Sequence, residues 1–376
     1  MNYTKMKHNK TICFFNSAKA WGGGEKWHLD IAYLLSQKDF KVVLAVLKNT
    51  LWESKIQSKH IPYKKFSISN LSFLNLFKIF QIVSFLKTNN VETIIINLSR
   101  DLKVAGFASK IAGVENIVYR RGSAIPIKNT FLNRFIFKHI VTNILANSEK
   151  TKQTINQNNP NLFPKDKIDV VYNGMDIDTF NNQGVNKIYQ SSENEIVIGN
   201  IGRIVEQKAQ DKLIELALQL KKENLKFKLI IGGEGPLLEE LKQQAKTLKV
   251  DKNILFTGFV NDVKSFMESL DIFILTSKWE GFGYVIVEAM ACKKPVLAFD
   301  ISSNPEIIDH NNTGYLVKPF DINELKEKVL LIANTKEKRE QLGTQAYRRA
   351  TTKFSIDKTI HDLLSLDFIN DCKKEL

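Results

Sequence analysis

Ile272-Phe273-Ile274-Leu275, followed by Lys278-Trp279-Glu280-Gly281-Phe282-Gly283-Tyr284-Val285-Ile286-Val287-Glu288-Ala289-Met290-Ala291, decides how the rest of the chain is read. The four apolar residues predict a buried strand, and 285–291 an apolar-faced helix. Two carboxylates therefore stand at the carboxyl end of a strand, Glu280 in the loop and Glu288 one to two turns into the helix. In an open α/β sheet that is ground for a ligand. Gly281 and Gly283 let the backbone come close to it, and the amides at the helix start suit an anion such as a phosphate. Taken alone, Glu288 reads more readily as a solvated helix residue and Glu280 as a surface cap, so neighbouring motifs must decide.

Outward from this stretch the same alternation of strand and helix recurs, which predicts parallel sheets covered by helices. In the first half, strands are expected at 11–16, 41–47, 91–98, 116–119 and 141–146, with helices at 25–37, 71–87, 102–112 and 129–140. The pattern breaks over 156–194, a polar run containing Pro160, Pro164, Asn173-Gly174 and Asn181 to Gly184, interrupted by the apolar 168–172. It restarts with strands at 196–199, 228–231, 254–257, 272–276, 295–299 and 315–317. Helices are expected between them at 210–222, 237–248 and 263–269, with another at 323–333. The reading is α/β: two Rossmann-like domains, 1–185 and 186–355, facing each other across a cleft, with a C-terminal segment 356–376.

The 376 residues, 43% of them hydrophobic, suffice for two cores. Cys13, Cys292 and Cys372 lie far apart without a CxxC, which points to a reducing, cytoplasmic setting and to neither a disulfide framework nor a zinc site. Lys5, Lys7 and Lys10 before Ile12-Cys13-Phe14-Phe15 imitate a signal peptide, but the apolar run is too short and reads as the first strand. No apolar run is long enough to span a bilayer. The net charge of +14 is unevenly placed: residues 1–185 hold 26 Lys+Arg against 12 Asp+Glu, and the remainder is balanced. Nucleic acid, an anionic membrane surface and acidic substrates all fit such a half. An RNA or DNA reader would show a recognisable RRM, zinc-finger or helix-turn-helix signature, and none is present.

Three glycine-containing connections carry chemistry. Gly199-Asn200-Ile201-Gly202-Arg203 follows a strand, with Lys208 five residues later; Arg203 offers a planar fork and Lys208 a point charge, a pair suited to adjacent phosphates. Helix starts favour acidic side chains, so two cations there call for a reason. Gly232-Gly233-Glu234-Gly235-Pro236 lacks the third glycine of a dinucleotide fingerprint; Pro236 suits a first helical turn, and Gly235 is a candidate for passing close to a nucleotide. Trp21-Gly22-Gly23-Gly24-Glu25-Lys26 joins the first strand to the first helix, and three successive glycines suggest close approach to a ligand. Asp176 and Asp178 are a candidate metal pair, but their place beside Asn173-Gly174 favours a turn and cap. The six histidines include no HxH or HExxH, so no metal site is expected.

Together these motifs resemble the retaining family 4 glycosyltransferases (glycosyl transferases group 1) of the two-Rossmann-domain GT-B fold. The likeness runs through Gly199 to Lys208, Gly232 to Pro236, the E-x7-E pattern Glu280 to Glu288, Pro295-Val296-Leu297-Ala298, Pro305-Glu306-Ile307-Ile308 and Asn312 to Val317. It is looser in the first half, through Gly22 to Glu25, Ala146-Asn147-Ser148 and Asn173 to Asp176. The resemblance implies transfer of a sugar from a nucleoside diphosphate sugar with retained configuration, without cofactor or metal, to a glycan or lipid-linked acceptor of the lipopolysaccharide or polysaccharide type. Arg203 and Lys208 would hold the diphosphate, Glu280 the donor sugar and Glu288 the ribose. Gly22, Gly23, Gly24, Gly202, Gly235, Gly281, Phe282 and Gly283 would line the donor, and the C-terminal segment would cross back to the first domain.

The chain departs from the family at two places. Arg120-Arg121-Gly122 stands where many relatives have a histidine before the glycine, and Ser302-Ser303-Asn304 precedes Pro305-Glu306 where many have a glycine pair. Arg120 and Arg121 are then candidates for acceptor or phosphate contacts, beside 129–140 as an acceptor edge. A peripheral contact with an anionic membrane is expected of the basic half. The rival readings are a nucleic-acid-binding protein, which the missing signatures disfavour, and a non-catalytic nucleotide-sugar-binding regulator, which intact Arg203, Lys208, Glu280 and Glu288 disfavour.

Overall fold

Strands buried on both faces read as unbroken apolar runs, and the central strands of both sheets are of this kind. In the computed structural model, which describes residues 11–370 apart from 20, 39, 49 and 51, they form two parallel sheets. Lys5, Lys7, Lys10 and Cys372 lie outside the described residues. The first sheet holds β1 (Thr11–Asn16), β2 (Lys41–Leu47), β3 (Tyr63–Phe66), β4 (Val91–Ile96), β5 (Asn116–Arg121), β6 (Asn143–Ala146) and β7 (Ile168–Val170), in the order β3-β2-β1-β4-β5-β6-β7. The second holds β8 (Ile196–Ile201), β9 (Phe227–Gly232), β10 (Ile254–Gly258), β11 (Ile272–Leu275), β12 (Val296–Phe299) and β13 (Gly314–Val317), in the order β10-β9-β8-β11-β12-β13. Every residue of β1, β8, β11 and β12 is buried.

Strand order reverses once in each sheet, between β1 and β4 in the first and between β8 and β11 in the second. At such a reversal the loops leaving two neighbouring strands diverge to opposite faces and leave a crevice at the carboxyl ends. The pairs Ile272↔Ile198 and Phe273↔Gly199 set β11 beside β8. This brings the loop that carries Arg203 and Lys208 next to the loop that carries Glu280.

Each sheet has its own core, and the chain divides into two compact units. One runs to Asn173 and takes in the chain again from Thr359; the other is Gly174–Lys358. The sequence expectation drew the boundary at 185/186 and the return at 356. The structure moves the first point back because the segment after Asn173 is tied to the end of the second unit: Met175 N–H donates to Phe354 O at 2.9 Å and Ile356 N–H to Met175 O at 2.9 Å. The C-terminal helices Ile356–Leu364 and Asp367–Asn370 reach the first unit, where Thr359 Oγ1 donates to Tyr172 O and Thr93 Oγ1 to Phe368 O, both at 2.9 Å.

Other differences have local causes. β3 is an edge strand of sequence Tyr63-Lys64-Lys65-Phe66, whose exposed lysines hide it from an apolar pattern and guard the edge. The expected helix 71–87 is broken at Asn75, whose side chain caps Leu76–Thr88 by accepting from Lys78 N–H at 3.0 Å, leaving a separate turn at Ser72–Leu74. Helix Lys336–Lys353 was not anticipated at all, since it buries little beyond Leu342, Gly343, Ala346 and Ala350. Cys13 and Cys292 are free and buried, and burial pushes the Cys292 thiol up to about 12.

Leu363 is fully buried on the returning helix. Leu363→Ala is expected to lower the unfolding free energy by about 2–5 kcal/mol. Urea denaturation followed by circular dichroism will read the change, and an unaltered midpoint would show that the returning helix adds nothing to the fold.

Candidate functional site

The site residues foreseen from sequence fall into two groups, one in each unit. In the second unit the loop after β8 and the loop after β11 are stitched together. Lys278 N–H donates to Gln207 O at 2.7 Å, Gln207 Nε2 to Trp279 O at 2.9 Å, and Thr276 Oγ1 to Lys208 O at 3.1 Å. The stitching places Lys208 Nζ 2.5 Å from Glu280 Oε1, and both side chains are largely buried. A pair this short and this desolvated fixes both groups, since loss of either leaves the other as an uncompensated charge. Ala209, directly after Lys208, is held at φ +46°, a left-handed conformation costly for a residue with a Cβ. Local strain of this kind persists where the surroundings over-determine the backbone.

Arg203, in the same loop as Lys208, is exposed, with no side-chain bond among the described residues; its carbonyl accepts from Gln210 Nε2 at 3.0 Å. The loop after β9 packs backbone to backbone against the β8 loop. Gly202 N–H donates to Gly232 O at 2.9 Å and Ile204 N–H to Glu234 O at 2.8 Å. A Cβ on Gly233, which has φ +133°, would fall 1.8 Å from Gly202 O, and one on Gly235 would fall 2.1 Å from Ile204 O. Both glycines are therefore required by the meeting of two loops, whatever either does for a ligand.

Helix Tyr284–Ala291 begins one residue earlier than expected, and two of its first amides are already engaged. Tyr284 N–H donates to Phe282 O at 3.0 Å and Ile286 N–H to Gly283 O at 2.9 Å, the tightening that a helix end uses to satisfy its own groups. That corrects the expectation of an open row of amides after Gly281. Phe282 is buried, with its ring edge-on to Tyr284 and to Phe354, each at 5.6 Å. Glu288 is half-buried on the helix.

Sequence reading missed a set of buried polar atoms at the strand ends. Asn200 Nδ2 donates to Ile274 O at 2.8 Å and so ties β8 to β11, while its Oδ1 has no partner among the described residues. Ser277 Oγ, Ser303 Oγ and Asn304 Oδ1 are likewise buried and unpaired. Buried polar atoms are nearly always satisfied, so unpaired ones at the ends of neighbouring strands are places where a polar ligand fits. Two of them, Ser303 and Asn304, occupy the positions where the chain departs from the glycine pair of its relatives.

In the first unit Gly22 caps helix Gly23–Ser36, so Gly23 and Gly24 are already helical. Gly24 lies against Asn97 and Arg120; a Cβ there would meet Asn97 Nδ2 at 3.1 Å. Glu25 Oε1 accepts from Asn16 Nδ2 at 3.3 Å and Asn97 Nδ2 at 3.4 Å, a polar cluster at the reversal between β1 and β4. The two arginines expected at an acceptor edge are not free surface cations. Arg120 is 2% exposed, donates to Asn97 Oδ1 at 3.0 Å and Asn173 Oδ1 at 2.7 Å, and lies 4.1 Å over the Trp27 ring. Burial, and then Arg120, hold the neighbouring His28 well below the usual imidazole range. Arg121 spends its fork on Ile125 O at 2.5 Å and Tyr119 OH at 3.3 Å. Nothing in the sequence distinguishes a buried Arg120 from an exposed one, because both precede a glycine at a strand end.

Asp176 caps helix Ile177–Asn181 by accepting from Thr179 N–H at 2.9 Å. Among the described residues no group of three or more His, Cys, Asp and Glu could hold a metal ion. No helix among them is long and apolar enough to cross a membrane.

Comparison with known proteins agrees with this architecture. Residues 183–349 match the family model described as Glycosyl transferases group 1. A poly(ribitol-phosphate) alpha-N-acetylglucosaminyltransferase of Staphylococcus aureus is 31% identical over 176 residues, 46% of this chain and 36% of that protein. An uncharacterised glycosyltransferase of Methanocaldococcus jannaschii is 32% identical over 250 residues, 66% of each. Among solved structures, the Anabaena HepE protein in complex with UDP-glucose superposes with a TM-score of 0.79 at 23% identity, covering 94% of this chain and 98–99% of HepE. That likeness is one of fold: two Rossmann-like units of the GT-B type. The matches span between about one third and two thirds of the curated relatives' own length.

Asp101 supplies a pH test of the first unit. It is fully buried at the start of helix Ser99–Ala112, accepts from Ser17 N–H at 2.8 Å and from Ser17 Oγ, and is pushed up to about 6 chiefly by burial. An acid whose folded pKa is raised stabilises the fold below its unfolded value of 3.8, and this contribution is lost as pH rises through about 6. Asp101→Asn removes that loss. The unfolding free energy at pH 7 minus that at pH 4 should therefore be more positive in the variant by about 1–3 kcal/mol. Denaturant titrations at the two pH values measure it, and equal differences would place the titration elsewhere.

Proposed function

We propose that the chain is a retaining glycosyltransferase that moves a sugar from a nucleoside diphosphate sugar to a glycan or lipid-linked acceptor of cell-surface polysaccharide synthesis. The observation that carries the reading is the Lys208–Glu280 pair, stitched between the β8 and β11 loops at the strand reversal of the family-matching unit, with exposed Arg203 in the same loop as Lys208. The HepE complex with UDP-glucose and the S. aureus relative named for poly(ribitol-phosphate) support the donor class and the kind of acceptor.

In this reading the donor diphosphate lies between Arg203 and Lys208. The bond between the anomeric carbon and the phosphate oxygen breaks, and its electron pair leaves with the nucleoside diphosphate. Fixed cations stabilise the charge that develops there, at no cost of reorganisation. Lys208 has three donors, so it can keep Glu280 while turning another proton toward a phosphate oxygen. Glu280, held by Lys208, presents its second oxygen to a donor hydroxyl, and Glu288 accepts from the ribose. Retention places the acceptor hydroxyl on the face the phosphate leaves, and its proton goes to the departing phosphate oxygen. Ser277, Ser303 and Asn304 offer unpaired polar atoms to the same donor.

Arg203→Ala should weaken donor binding about ten- to a hundredfold, the worth of a charge-assisted hydrogen bond. Glu280→Gln should lower turnover by a similar factor. Calorimetry with UDP-glucose and other nucleoside diphosphate sugars, together with a transfer assay, reads both effects. Parent-like binding and turnover in folded variants would remove these residues from the site.

The two cations carry the diphosphate charge in this scheme, so transfer is expected to survive EDTA. Activity lost on chelation and restored by magnesium or manganese would overturn metal independence while leaving the donor assignment standing.

A further inference from the structure

Three neighbouring helices on the first sheet leave an apolar and basic face uncovered. In helix Leu76–Thr88, Ile79, Ile82, Val83, Phe85 and Leu86 are buried, yet Leu76, Phe77 and Phe80 stand in solvent, Phe77 71% exposed. In helix Phe131–His139, Ile136 and Phe137 are buried while Phe131 is 77% exposed and Phe135 40%. Helix Ser99–Ala112 joins the two. Its Lys103, Phe107 and Ile111 lie one turn apart on one face. Lys103 Nζ sits 5.7 Å over the ring of Phe73, in the turn Ser72–Leu74 that precedes the first helix, and Phe107 stacks on Phe135 at 6.1 Å. Eight of the fourteen exposed large hydrophobic residues described come from this region. A contiguous apolar face of that kind marks an interaction site.

Charge identifies the partner. The sequence has no Asp or Glu between Glu53 and Glu92, and none between Glu115 and Glu149. The middle helix has only Asp101, which is buried. Beside helix Phe131–His139 opens a cavity of about 440 Å³ whose floor is Phe137, Leu162 and Phe163 and whose rim includes Arg134, Lys138 and Lys167, with no carboxylate in its lining. Arg134 Nη1 donates to Asn129 Oδ1 at 3.2 Å, which leaves the rest of its fork available. Aromatic side chains that stand out among unopposed cations match a bilayer, where rings enter the interface and cations meet phosphates.

We propose that this face docks the protein on an anionic lipid bilayer, with Phe77, Phe80, Phe131 and Phe135 entering the interface and Arg134, Lys138 and Lys167 gathering lipid phosphates at the adjoining cavity. The surface lies wholly in the first unit, apart from the donor residues of the second, so the inference stands or falls independently of the proposed transfer.

Flotation of the full chain with vesicles tests it. Binding is expected to vesicles of phosphatidylglycerol and phosphatidylcholine, to be absent with phosphatidylcholine alone, and to fall as salt rises from about 0.05 to 0.5 M. Each basic residue near an anionic leaflet contributes about fivefold, so Arg134→Glu with Lys138→Glu should cut binding at least thirtyfold. Phe77→Ser with Phe131→Ser should cut it by at least tenfold even at low salt, about 0.05 M, through lost apolar burial. All four positions are exposed, so the thermal midpoint should hold within about 2 °C. If a double variant unfolds, Phe131→Ser and Lys138→Glu singly carry the comparison. Equal recovery with neutral and anionic vesicles would overturn the proposal. So would charge-reversal sensitivity without any effect of the phenylalanines, which would assign the face to a soluble polyanion.

Discussion

The contact that joins the two loops at the second unit's strand reversal is the one between Lys208 and Glu280, and its existence is set by strand order. β8 and β11 are neighbours because the chain crosses back over the sheet, so residues 72 positions apart in sequence leave the sheet side by side. Three hydrogen bonds from residues 207 and 208 to 276–279 then remove the freedom of both loops before any side chain is placed. An ion pair between long side chains at the surface would contribute little, because each keeps water and rotamer entropy as alternatives. Here both partners have lost those alternatives. The pair is consequently worth more as a positioning device than as a source of stability, since a buried pair gains little over an apolar one of equal size.

How far the sequence discloses this follows from which interactions are local. β1 and β2 were read to the residue because each is an apolar run with polar ends. Lys208 and Glu280 were legible as polar residues after such runs, and the strand order made them neighbours. Their pairing was not legible, because it depends on Lys278 N–H meeting Gln207 O across the sheet. The unit boundary was misplaced for a similar reason: the polar stretch 181–184 looks like a linker, but the change of unit is fixed by Met175 bonding to Phe354 and Ile356, far along the chain. Arg120 shows the limit most clearly. Its burial rests on Asn97, Asn173 and Trp27, drawn from three separate parts of the sequence.

The charge of the first unit is spent in two different ways. Arg120 is internal, and its cation is compensated by two side-chain carbonyls and an aromatic face, an arrangement that orders the carboxyl ends of β4 and β5. A guanidinium suits that task because it is weakly hydrated and its planar fork loses little entropy per bond formed. Asp101 is buried with its own donors from Ser17 and near Arg100. Those buried groups serve the fold, and none of them accounts for the excess of cations at the surface.

Folding does not require that excess. Like charges repel across a surface, and a solvated helix is better served by opposite signs at i, i+3 or i, i+4 spacing, which the second unit uses at Lys212–Glu215 and Lys264–Glu268. The first unit forgoes such pairs on helices Leu76–Thr88 and Phe131–His139, which carry no acid at all, and it leaves phenylalanines uncovered there. Both choices cost stability or solubility, and both fall on one side of one sheet. Two unfavourable features that coincide in space are best explained by a partner that relieves both at once, with negative charge at its surface and hydrocarbon just beneath it.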